Sequence, residues 1–279
     1  MRIAIAGATG VVGRHVVAAA EARGHDILPL TRRTGHDLER GTGPSGSPLA
    51  AALDGVDAVI DVTSVQTTAA SRSRAFFTAV TGNLLRAERD AGVGHHVALS
   101  IVGIDGADAS YFAGKHAQER LVAAGDVPHT ILRATQFHEF AEQVTARLSL
   151  GRMLTPIPVG HYRPVSAREV GVRLVEVAEA GAVGRARDLA GPREERLAEM
   201  VRRMFAHDGV RRPVLEFPLP GPYGRASASG ALRGGADADR AAITFDEWLR
   251  SADHTPIGER ADAAASARGA RADGPRARG

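Results

Sequence analysis

Two residues in this chain have types and a spacing suited to moving a proton. Tyr111 and Lys115 stand four apart, which on a helix places both side chains on one face. A phenol that exchanges a proton near neutrality needs its ordinary pKa of about 10 drawn down, and a neighbouring ammonium does that. An ammonium in that place also reaches the hydroxyls of a ribose. Of the 35 lysines and arginines, Lys115 is the only lysine. Arginine presents a planar fork and lysine a compact, rotatable donor, so a chain that keeps a single ammonium points to a task for it. The other fate read for Tyr111 is packing or a ribose contact.

A second group suits a phosphate. Gly7-Ala8-Thr9-Gly10-Val11-Val12-Gly13 sets glycines at the first, fourth and seventh positions between an apolar run and a segment of helical spacing. The first allows a tight turn, the next lets backbone approach a pyrophosphate, and the last lets helix pack on strand. The helix start then offers uncapped N–H groups and a positive dipole end to the phosphates, and Thr9 adds a hydroxyl donor. Where an NAD-binding fold usually carries a carboxylate for the ribose 2′-hydroxyl, this chain has Arg32 and Arg33. A 2′-phosphate suits that pair, so NADP(H) is the expected cofactor and NAD(H) the alternative. The bland alternative is two solvated charges at a strand end.

The elements that must hold these residues alternate. Residues 3–6 read as a strand, 11–23 as a helix, 26–30 as a strand, 58–61 as a strand, 69–91 as a helix closed by Gly92, 95–100 as a strand, 111–124 as a helix and 130–133 as a strand. That order at those intervals makes an α/β fold with a doubly wound parallel sheet, the Rossmann fold. Further helices are read at 139–150, 167–179 and 194–207, with a Pro-rich segment at 155–164 and a last amphipathic turn at 244–249. They are expected to form a small C-terminal cap over the sheet edge where ligands of such folds bind. The expected organisation is a dinucleotide-binding core at 1–137, a cap completing the same domain at 138–250, and a disordered tail at 251–279 rich in Ala, Arg, Gly and Asp.

Composition narrows the function classes. The 279 residues, 44% hydrophobic, suffice for one large core. Without cysteine there is no disulfide framework and no thiolate metal site, which fits a reducing compartment, and a cytoplasmic location is expected. The opening apolar run is too short for a signal peptide or a membrane span. A net charge of +3 with no basic stripe gives no reason to expect nucleic acid, and the expected partner is a small-molecule substrate.

Four stretches together resemble the short-chain dehydrogenase/reductase superfamily, in its atypical branch with the NmrA-like and NAD(P)H quinone-oxidoreductase-like proteins. They are the glycine loop 7–13, His96-Val97-Ala98-Leu99-Ser100, Tyr111-Phe112-Ala113-Gly114-Lys115 and Ile131-Leu132-Arg133-Ala134-Thr135-Gln136-Phe137. The resemblance spans about the first 250 residues and is stronger up to Phe140. It implies that Ser100, Tyr111 and Lys115 form the catalytic set, that Thr63 and Ser64 line the cofactor, and that Thr135 to Phe137 reach the nicotinamide side. Where many members carry paired serines, this chain reads Ser100-Ile101-Val102-Gly103. The expected function is an NADPH-dependent oxidoreductase passing a hydride to a quinone, enone or ketone. The alternatives are a redox-sensing regulatory protein that binds NADP(H) and a sugar-nucleotide epimerase or dehydratase.

Other candidates have plainer readings. His138-Glu139 lacks the second histidine of a zinc-protease motif, because Glu142 stands there, and His95-His96 lack a third ligand, so no metal centre is expected. The two neighbouring histidines are read as surface or loop residues. Phe76 and Phe77 are read as core packing or as a homodimer face. Arg133 is read as a structural ion pair or a holder of an acidic substrate.

Overall fold

In the computed structural model, which describes residues 1–105, 108–151 and 153–258, the alternation read from the sequence is realised. The core elements are β1 (Arg2–Ala6), α1 (Gly13–Ala22), β2 (Asp26–Leu30), α2 (Leu49–Ala52), β3 (Ala58–Asp61), α3 (Ala70–Ala91), β4 (His95–Ile101), α4 (Phe112–Ala124) and β5 (His129–Ala134). These strands run parallel in the order β5-β4-β3-β1-β2. Strand order reverses at β1, which leaves a crevice beyond the C-terminal ends of β1 and β3, where open α/β sheets bind ligands. Pro29 sits in β2, the edge strand of the order, where a missing N–H breaks no ladder. Between β2 and α2, Asp37 and Thr42 form a single antiparallel bridge.

Side chains alternate across the sheet as the pleat requires. Ile3, Ile5, Val97 and Leu99 pack with Val16 and Ala20 of α1 on one face. Ala4, Ala6 and Val59 pack with Val80 and Leu84 of α3 on the other. Two close helix crossings depend on glycine. A Cβ on Gly171 would lie 2.7 Å from the His15 carbonyl carbon, and one on Gly114 would lie 2.2 Å from Ser73 Oγ and 2.5 Å from its carbonyl oxygen. α3 ends at Gly92 with φ 73°, as its sequence indicates.

The cap is built from α5 (Phe140–Leu148), β6 (Thr155–Pro158), β7 (His161–Tyr162), α6 (Ala167–Ala180), β8 (Gly184–Arg185), β9 (Leu189–Ala190), β10 (Glu195–Arg196), α7 (Leu197–His207), β11 (Val214–Phe217), α8 (Gly221–Ser229), β12 (Asp239–Arg240) and α9 (Phe245–Leu249). α6 packs back on α1, and β8, β9 and β12 extend the parallel sheet beyond β5. A second core gathers Tyr162, Leu197, Met200, Val201, Met204, Phe205, Phe245 and Trp248. Two corrections to the sequence reading fall here. The Pro-rich segment forms strands, with β6 pairing parallel to β11 and β7 antiparallel to β10. Residues 251–258, assigned to the tail, are packed: His254 is buried, and the Asp253 carboxylate accepts from Arg168 Nε of α6 at 2.8 Å. The rest of the expected tail, 259–279, lies outside the described residues. Among the described residues no helix is long and apolar enough to cross a membrane.

Candidate cofactor and catalytic site

The glycine loop meets the demands of a close phosphate approach. Gly7 has φ 86°, in the left-handed region, and a Cβ there would lie 2.9 Å from the Val62 carbonyl oxygen. At Gly13 a Cβ would lie 2.1 Å from the Gly7 carbonyl oxygen, against backbone that cannot yield. Gly10 N–H donates to the Gly7 carbonyl at 2.9 Å and closes the turn. Ala8 and Val12 are buried beneath it, and Thr9, Gly10 and Val11 face outward. No side chain caps α1; Arg14 and His15 N–H already donate to the Gly10 and Val12 carbonyls, so the amides open to an anion are those of the turn leading into Gly13.

At the end of β2, Thr31 and Thr34 form a capping box around a 3₁₀ turn that carries Arg32 and Arg33. Both guanidinium groups are exposed, and neither makes an ion pair or hydrogen bond to a described residue. Most arginines of the cap are engaged: Arg163 and Arg233 share Glu194, Arg196 holds Glu216, and Arg203 binds Glu195 and Asp246. Two adjacent unpaired guanidinium groups at this strand end suit a phosphate monoester.

Below the crevice lies a buried polar chain that the sequence reading missed. Asp61 closes β3 with its carboxylate fully buried. Its Oδ1 accepts from Thr63 N–H at 2.9 Å and from Thr63 Oγ1 at 2.6 Å, and its Oδ2 accepts from Gln118 Nε2 at 2.8 Å. Gln118 Oε1 in turn accepts from Lys115 Nζ at 2.7 Å, and the Leu99 carbonyl accepts from the same ammonium at 2.6 Å. Two sequence signals bear on it: a carboxylate ending an apolar strand two residues before a threonine, and a glutamine one helical turn after the lysine.

The expected serine, tyrosine and lysine do not converge. Tyr111 immediately precedes α4, half-buried, its hydroxyl 3.0 Å from the exposed Ser64 Oγ and its carbonyl accepting from Ser73 Oγ at 2.8 Å. Lys115 turns inward, 4% exposed, with its ammonium 4.7 Å from the centre of the Phe77 ring. Burial therefore pushes the Tyr111 phenol up to about 12, the reverse of the lowering expected from a neighbouring ammonium. Burial also lowers Lys115 to about 8, against the opposing pull of Asp61 and Glu119. Ser100 faces α3 and α4 from β4, and its buried Oγ has no partner. Thr135 Oγ1 donates to the Arg163 carbonyl at the joint between β5 and the cap.

Other candidates resolve structurally. His95 and His96, read as surface residues, are buried in β4. His96 Nδ1 lies 2.9 Å from both Glu88 oxygens. Burial alone would lower His96, but Glu88 and Asp61 outweigh it and raise its pKa. Burial drives His138 down to about 4, and the neutral ring donates from Nε2 to the Ile243 carbonyl at 3.0 Å. Glu139, just before α5, has no partner for its buried oxygens, and burial raises it to about 7. Phe77 is fully buried against Tyr111, the core role of its two readings. Arg133 takes the ion-pair role, forked onto Glu119 and Asp105.

Comparison with known proteins places these features in a family. Residues 7–157 match the family model described as NAD(P)H-binding. A curated relative, the photosystem II assembly factor Ycf39 of Synechocystis sp. (strain ATCC 27184 / PCC 6803 / Kazusa), is 25% identical over 192 residues, 63% of this chain and 59% of that protein. The chain thus spans about three-fifths of the curated relative it matches. A nucleoside-diphosphate-sugar epimerase from Pseudomonas aeruginosa has TM-score 0.66 at 20% identity, covering 94% of this chain and 98% of its own. A short-chain dehydrogenase/reductase superfamily protein from Agrobacterium tumefaciens with bound NAD has TM-score 0.62 at 19% identity, covering 96% and 100%. The parallel sheet, the glycine turn closing on an uncapped helix and the match over more than half its length agree: this chain belongs to the NAD(P)H-binding family.

Proposed function

We propose that the protein is an NADP(H)-dependent reductase acting on a small quinone, enone or ketone. The observation that carries this reading is the geometry of the Tyr111 phenol, half-buried with its hydroxyl 3.0 Å from the exposed Ser64 Oγ just beyond the end of β3. The residues around the crevice fit a dinucleotide: the amides of the Gly7 to Gly13 turn take the pyrophosphate, and Arg32 and Arg33 take the 2′-phosphate. A reduced nicotinamide dinucleotide held there would supply the hydride chemistry. Tyr111 then gives its phenolic proton to the acceptor oxygen, and the exposed Ser64 hydroxyl leads a replacement proton from solvent.

A second reading, a regulatory protein that binds NADP(H) without turnover, is favoured by one observation. The only lysine is held by the Leu99 carbonyl and Gln118, away from the crevice where a ribose contact was expected. Both readings meet in one experiment, in which protein, NADPH and a panel of quinones, enones and ketones are mixed and absorbance of the reduced nicotinamide is followed. Turnover that falls about 100-fold or more in Tyr111→Phe supports the reductase. Tight NADPH binding with no acceptor consumed supports the regulator, and a rate unchanged in Tyr111→Phe removes the proton-donor role.

A further inference from the structure

The last described turn of the chain carries chemistry away from the dinucleotide crevice. His254 is buried, and both its ring nitrogens face carboxylates: Nδ1 lies 2.7 Å from Glu142 Oε1 and Nε2 lies 2.7 Å from Asp208 Oδ1. His207, at the end of α7, brings its own Nδ1 to 3.1 Å from that same Asp208 oxygen. One ligand atom from each of His207, Asp208 and His254 therefore lies within 4.8 Å of the other two.

A neutral imidazole has one N–H and one lone pair. If Nδ1–H of His254 serves Glu142, its Nε2 lone pair confronts an anionic oxygen, which only a proton or a metal cation relieves. A proton would satisfy that one contact. A cation between the three atoms would also engage the His207 nitrogen, which lies 3.1 Å from the same oxygen. The outward-facing atoms of the two buried residues are already held, His254 Nδ1 by Glu142 and Asp208 Oδ2 by the Ile257 N–H at 3.0 Å. Such outer contacts orient metal-bound histidines and carboxylates. Two nitrogens and one oxygen suit zinc and its neighbours rather than calcium or magnesium, which take oxygen ligands. The His207 side chain is 36% exposed, which leaves an entry path and an open side.

We propose that His207, Asp208 and His254 bind one zinc-class divalent cation, with Glu142 orienting His254 and water completing the coordination. The site joins α7 of the cap to the segment 251–258. That segment is also fastened to α6, the cap helix that packs on α1 of the core, because Asp253 pairs with Arg168 at its start. An ion here ties α7 to α6 through the end of the chain. The sequence reading missed it because residue 254 fell in the stretch taken as tail.

The only tryptophan, Trp248, reports on the site directly, its ring centre 4.9 Å from that of His254. The full chain, stripped with a chelator, is titrated with Co²⁺ while tryptophan fluorescence and visible absorption are recorded, and Zn²⁺ is then added in competition. The expected result is quenching that saturates at one Co²⁺ per chain, with d–d bands that Zn²⁺ abolishes. Glu142→Gln is expected to weaken binding about 10- to 100-fold, and the part-exposed His207→Ala at least as much without disturbing the fold. No saturable quenching in the parent chain, or the same affinity in His207→Ala, overturns the proposal and leaves an imidazolium held between two carboxylates.

Discussion

Replacing Lys115 by methionine keeps the volume and deletes the chain's one ammonium. Its pKa stands at about 8 in the folded protein against an ordinary 10.5. Below about 8 both states hold the proton and the native state carries the full cost of the buried charge, roughly 3 kcal/mol from that difference. Between about 8 and 10.5 the unfolded chain retains a proton that the native state has lost, so stability rises with pH across this window. About 1 kcal/mol of that relief falls between pH 7 and pH 9. Loss of the two donated hydrogen bonds, to Leu99 and Gln118, adds a pH-independent cost of about 1–3 kcal/mol to Lys115→Met. The pH-dependent part is read from urea unfolding of parent and variant at each pH, as the change in their stability difference. A direct measurement accompanies it, because with one lysine in the sequence a ¹³Cε-lysine label gives a single resonance whose titration midpoint should fall near 8. A midpoint above about 10, or a stability difference flat between pH 7 and pH 9, would refute the buried, inward-turned ammonium.

Further outcomes follow from the same structure. Arg32→Ser with Arg33→Ser should weaken NADPH binding about 10- to 100-fold, from charge-assisted contacts of about 1.5–3 kcal/mol each reduced by solvent exposure, and leave NADH within about twofold. Calorimetry with both dinucleotides at two salt concentrations checks this, with the gap narrowing as salt rises. Gly13→Ala, whose methyl would lie 2.1 Å from the Gly7 carbonyl oxygen, should destabilise the fold by about 1–3 kcal/mol or more and abolish dinucleotide uptake. Gly10→Ala, with its nearest such atom at 3.2 Å, should do far less in the same two assays. Glu88→Leu alone should cost about 3–5 kcal/mol in urea unfolding by stranding His96, and adding His96→Phe should recover most of it.

The sheet was legible because its signals are periodic. β3 and β4 each alternate two buried faces, α3 runs to a glycine that stops it, and the glycine loop sits between strand and helix. Spacing also put Tyr111 and Lys115 on one helix, but it fixes only the Cα–Cβ direction. The four-carbon stem of Lys115 folds inward because the Leu99 carbonyl, Gln118 and the Phe77 ring await it there, and only the packed structure sets that choice. The Glu88–His96 pair was hidden for a similar reason. Its members lie on different elements across the Gly92 turn, and two adjacent histidines in isolation look polar. The paired strands of the cap are too short, several of two residues, to carry a period. Residues 251–258 looked featureless because their anchors, Arg168, Glu142 and Asp208, are distant in sequence.

The meeting of α3 with the start of α4 has a consequence for mutational tolerance. The Ser73 hydroxyl donates to the Tyr111 carbonyl, and its side chain and carbonyl lie so near Gly114 that no side chain fits there. A saturation library selected for turnover should therefore show two cold spots, at 73 and 114, as intolerant as 111 itself. Inactive variants at those positions would be displaced tyrosines, not lost chemistry.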